Sequence, residues 1–179
     1  MPFLLMDLDD LTRAQMLLEL DDDVRAGQLY LSPRLSPVGI AAYPGLLRDA
    51  IQGGGPDSLA EALRGVGLLA DHEFSRNPHG GADVRRRVPT NAAQLLAEGE
   101  FNRFYIRGLC RRVIESNSSG RVRVYRARES AHERSESEAL IGQLVPAGEL
   151  LRDLRQHVGV DTALRLPPGP NSGLSVRLP

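Results

Sequence analysis

His72, Glu73, His79 and Asp83 lie within twelve positions and carry donor types that hold a transition metal. An imidazole and carboxylate set of this kind could bind zinc and activate a water. The spacing matches neither H-E-x-x-H nor a Cys/His pattern. The single cysteine, Cys110, cannot supply the paired thiolates of a structural zinc site. A solvated loop is the better reading, and no metal or cofactor is expected. Asp21, Asp22 and Asp23 could hold a hard cation, but no EF-hand pattern surrounds them, so they read as a charged helix end. Gly65-Val66-Gly67 follows a helical stretch rather than a strand, which is the wrong context for a dinucleotide fingerprint. Arg126 with Glu136-x-Glu138 has the residue types that grip a nicotinamide cofactor in ADP-ribosyl transfer. The span between them is too short to build the intervening sheet. Glu98 and Glu100 sit two apart on a helix and point in different directions, so they form no acid/base pair.

All 22 basic residues are arginine, and the chain has no lysine and no tryptophan. Schiff-base and PLP chemistry, the P-loop lysine, Ser-x-x-Lys acyl transfer and standard kinase chemistry are thereby excluded. Arginine is no substitute, because it stays protonated at every working pH. No motif fixes a reaction, and the expectation leans away from an enzyme.

The arginines are unevenly placed. Met1 to Val84 holds six arginines against thirteen acids, Arg85 to Arg128 eleven against three, and Glu129 to Pro179 five against seven. The acidic and basic regions may fold on each other, meet between subunits, or leave a basic face for phosphate. A pI near 6.4 counts against a uniformly basic nucleic-acid binder but leaves room for a local basic face.

The elements that must position these groups follow from pattern. Asp10 or Thr12 caps a first helix that stops at Gly27. "QLYLS" is a short possible strand. Ser36-Pro37 is an N-cap and first-turn pair, and Pro44 interrupts or restarts the helix that follows. Asp57 or Ser58 caps a short helix to about Arg64. Residues 71–88, polar and glycine-containing, read as a long loop. Asn91 and Gln94 fit a capping box that opens the longest helix, about 91–115. "RVRVYRAR", 121–128, alternates as a strand. Leu140-Ile141 is a short strand, and Pro146 opens a helix to His157. "LPPGPNSGLSVRLP" forms an extended C-terminal arm, 166–179.

Within "FNRFYIRGLCRR", 101–112, a 100° projection puts Tyr105, Ile106, Leu109 and Cys110 on the core face with Leu95 and Val113. Arg103, Arg107 and Arg111 form a stripe beside Glu100. Phe101, Phe104 and Gly108 lie on another side, where the glycine lets a second backbone approach.

The fold class expected is α+β and helix-dominated, with one domain over 1–165, a small sheet and the arm. The first expectation for function is a non-enzymatic assembly protein. It would pack with itself or other proteins through Phe101, Phe104, Gly108, Pro167, Pro168 and Pro170. A phage or phage-derived virion or shell component from a high-GC bacterium fits that description. The alternative is a nucleic-acid-binding accessory protein using Arg85, Arg86, Arg87, Arg121, Arg123, Arg126 and Arg128; a metal-dependent enzyme ranks below it. The start MPFLLMDLDD carries no basic leader and no membrane span, so a cytoplasmic location, or one inside an intracellularly assembled particle, is expected.

Overall fold

The computed structural model describes residues 3–75, 84–116, 120–128, 138–158 and 173–179. Among the described residues, five helices and two small antiparallel sheets give an α+β, helix-dominated fold. Pro167, Pro168, Pro170, His79, Asp83 and Glu136 lie outside the described residues.

Helix α1, Asp10–Ala26, starts where Asp9 accepts the Thr12 amide at 2.9 Å. It ends on Gly27, whose φ of 65° is left-handed and costs glycine nothing. Helix α2, Pro37–Gly53, is capped by Ser36 Oγ, which accepts the Gly39 amide. It runs unbroken through Pro44, contrary to the expected interruption. Tyr43 and Leu47 on either side are fully buried, and that packing outweighs the donor missing at the proline. Helix α3, Pro56–Leu63, begins at Gly55, with Ser58 Oγ reaching back to the Gly55 amide.

Helix α4, Ala92–Glu115, spans 24 residues and packs against α1, α3 and the last helix, α5, Ala147–Gln156. The expected capping box is absent: Asn91 makes no side-chain cap bond. Gln94 instead bonds Asp57 and Glu98 and accepts from Arg64, which joins α4 to the α3 region. Gly108 is where α1 crosses α4. A Cβ there would lie 2.8 Å from the Met16 amide nitrogen, so only glycine permits this approach.

The three-stranded sheet has the order β4-β3-β5. Strand β3, Arg121–Arg126, pairs antiparallel with β4, Leu144–Pro146, and with β5, Leu174–Arg177. Val122, Val124, Leu174 and Val176 join the helices in one hydrophobic core. The end of the expected arm is therefore a core strand. Leu174 and Val176 are apolar at period two, and Asn102 on α4 fixes the neighbouring backbone by donating to the Leu174 carbonyl.

Two further expectations are corrected. Residues 71–88 contain paired strands, β1 at His72–Ser75 and β2 at Val84–Arg87, where a long loop was expected. "QLYLS" and Leu140-Ile141 form no strand; pairing with β3 starts at Leu144.

Candidate nucleic-acid interface

The charge asymmetry closes inside the chain wherever α1 meets α4. Arg107, 2% exposed, donates Nε to Glu19 at 2.9 Å and grips both Asp23 oxygens at 2.6 and 2.8 Å. Glu19, itself without solvent exposure, also receives Arg111 and Arg155. Arg111 reaches Asp22, and Arg112 holds Asp9. Burial alone would raise the Glu19 carboxyl, but the Arg155 hydrogen bond and the Arg107 charge hold it below the ordinary carboxylate range. The three aspartates of the charged helix end have arginine partners: Asp21 with Arg48, Asp22 with Arg25, and Asp23 with Arg107.

Phe101 and Phe104, expected at an interface, are 0% and 1% exposed and belong to the core of this chain. The second side of α4 is covered by the chain itself, with Gly108 pressed on Met16. None of the three presents a surface to a partner. Cys110 is buried, and desolvation pushes its thiol up, away from nucleophilic use. Among the described residues no group of His, Cys, Asp and Glu could hold a metal.

The two-stranded ribbon is different. Its register opposes His72 to Arg87, Glu73 to Arg86 and Phe74 to Arg85. Opposed residues share a face, so one face carries His72, Phe74, Arg85 and Arg87. Phe74 is 74% exposed, and both arginines are exposed. Arg85 donates to His72 Nδ1 at 3.1 Å. The acid of β1, Glu73, is on the other face, where Arg34 binds it at 2.6 and 3.3 Å. That bidentate contact ties the acidic side of the ribbon to the segment before α2. The opposite side keeps a bare aromatic ring directly across from Arg85, with Arg87 one pair further along that face.

The remaining expected arginines divide. Arg128 is in an ion pair with Glu98. Arg126 lies on the core-facing side of β3 with Val124 and is partly buried. Arg121 and Arg123 lie on the opposite side, and Arg123 donates to the Gly142 carbonyl at 2.9 Å. The ribbon leads into the N-terminus of α4 and Arg121 follows its C-terminus, while β3 runs back along the helix until Arg128 meets Glu98.

Phe74 and His72 were missed as binding residues in the sequence. "HEFS" and "VRRR" are short and polar, and period two over four residues is a weak signal. Among the described residues no helix is long and apolar enough to cross a membrane. Comparison of the chain with protein-family models, curated proteins and solved structures gives no match.

Proposed function

We propose that this chain is a nucleic-acid-binding accessory protein that contacts its ligand through the outer face of the β1–β2 ribbon. The observation that carries this reading is Phe74, bare to solvent and directly across from Arg85, on a ribbon face that also carries Arg87 and, among the described residues, no acid. A base stacked on such a ring contributes about 1–3 kcal/mol whatever its identity. The two guanidinium groups match phosphate oxygens and stay charged at all working pH. Three of the features that first pointed to assembly have partners within the chain, while Pro167, Pro168 and Pro170 lie outside the described residues. The charge split is spent between α1 and α4, the phenylalanines are core, and the last strand is in the sheet.

Gel shift of a single-stranded oligonucleotide at two salt concentrations tests the proposal. With two phosphate contacts, from Arg85 and Arg87, affinity should fall about 7-fold between ~50 and ~200 mM salt. R85Q/R87Q should weaken the binding and flatten that dependence. No shift at the lower salt sinks the reading.

A second reading, assembly with itself or with other protein in a shell, draws on Leu11 and Leu18. They are exposed on one side of α1, two helical turns apart. A mass in solution that rises with protein concentration, and falls back in L11D/L18D, would favour it. A concentration-independent monomer would remove it.

A further inference from the structure

The outer face of the three-stranded sheet repeats the ribbon's chemistry in another place. Strand register opposes Arg123 on β3 directly to Arg177 on β5. Arg121, two residues along β3, points to the same side. This is the side away from Val122, Val124 and Val176; further along it Tyr125 and Ser175 are buried against the N-terminal segment and Asn102, so the three arginines occupy only its open end. Like charges directly opposite one another in an antiparallel pair destabilise it. A fold that carries such a pair usually offsets it with a nearby carboxylate, as it does for Arg107, Arg111, Arg112 and Arg128.

Here the offset is missing. Arg121 and Arg177 make no ion pair with a described residue, and Arg123 donates only to the neutral Gly142 carbonyl among them. The acid at this end of β5, Asp7, accepts the Leu178 amide at 2.8 Å. The β4 residues facing this side, Leu144 and Pro146, are apolar and opposite Arg123 and Arg121. Three guanidinium groups thus share one sheet face, and the carboxylate beside it, Asp7, is bonded to the Leu178 amide and forms no ion pair with them among the described residues.

We infer that Arg121, Arg123 and Arg177 form a second phosphate-binding surface, which takes backbone phosphates of the same nucleic-acid ligand. The inference rests on the proposed function for the identity of the ligand. It adds a residue that sequence reasoning did not single out, Arg177, because only strand pairing brings it beside Arg123. An anion bridging the opposed pair turns a repulsive contact into a charge-assisted one. The ribbon supplies stacking and the sheet supplies charge.

The test measures oligonucleotide affinity by fluorescence anisotropy across a salt series. It compares the full-length protein, the ribbon variant R85Q/R87Q and the sheet variant R121Q/R123Q/R177Q, with circular dichroism confirming that each is folded. Loss of three single-strand phosphate contacts should reduce the slope of log affinity against log salt by about 2. The expected result is that reduction in the sheet variant, on top of the smaller change from the ribbon. A sheet variant with wild-type slope and affinity overturns the inference and leaves the ribbon reading standing if R85Q/R87Q weakens binding. Weakening by the sheet variant alone overturns the ribbon reading and keeps the sheet surface. An unmodified protein that binds no oligonucleotide overturns both. As a separate readout, inorganic pyrophosphate titrated into labelled protein should move the Arg123 and Arg177 side-chain NMR signals. Unmoved signals count against the sheet site whatever the ribbon does.

Discussion

Arg107 does at residue scale what the charge distribution required at chain scale. It meets Glu19 and Asp23 where water is excluded, and its guanidinium carbon lies 4.9 Å from the centre of the Phe104 ring. Such a pair costs desolvation to form, but removing one partner leaves the other buried and uncompensated. E19Q should therefore lower stability by about 3–5 kcal/mol near neutral pH, read as a fall in urea midpoint with unchanged slope. The Glu19 carboxyl is depressed in the folded state, so its contribution is present above the unfolded-state value and is lost as pH falls through the folded one. The gap between E19Q and the unmodified protein should close on acidification. Glu100 has the opposite sign. Burial raises its carboxyl, Arg103 and Arg107 offset this only in part, and one of its oxygens has no described partner. A raised acid costs stability as pH rises above its unfolded-state value. E100Q should accordingly flatten the loss of stability as pH rises above the ordinary glutamate value. A steeper loss in E100Q would contradict this.

At the scale of elements, α4 is the axis and Gly108 sets how closely α1 lies on it. G108A brings a Cβ onto the Met16 backbone, which cannot move as a side chain would. It should cost about 1–3 kcal/mol of stability, and a thermal midpoint equal to the unmodified protein's would refute the contact. Long, capped or strongly periodic elements were legible in the sequence. Helix α1 with its Gly27 stop, α4 to within a residue, α5 after Pro146 and β3 were all expected. The glycine beside the two phenylalanines signalled a close backbone approach, and the approaching backbone is α1 of the same chain. Sequence alone cannot distinguish an internal neighbour from an external one. Short strands were illegible for a different reason. β1, β2, β4 and β5 have three or four residues each, too few for periodicity to stand out. Their identity comes from pairing partners as far apart as Arg123 and Arg177. The proposed binding face of the ribbon was hidden with them: Arg85, Arg86 and Arg87 were visible as a run, but only the register sets Phe74 and His72 beside Arg85 and Arg87.

The whole molecule carries a formal charge of −1, so long-range attraction to a polyanion is weak. Its described acids near α1 are largely taken up by internal pairs, and the described guanidinium groups without a carboxylate partner include Arg85 and Arg87 on the ribbon and Arg121, Arg123 and Arg177 on the sheet. Affinity in this account comes from contact rather than steering, and depends on stacking as much as on charge. Stacking is the part that distinguishes a binding face from a merely basic one. The most direct measurement is therefore the affinity of F74A for a single-stranded oligonucleotide at one low salt concentration, beside the unmodified protein. Phe74 is exposed, so the substitution leaves the core intact. The account predicts binding weaker by about 5- to 150-fold, the equivalent of 1–3 kcal/mol of stacking. Equal affinities for the two proteins would contradict it.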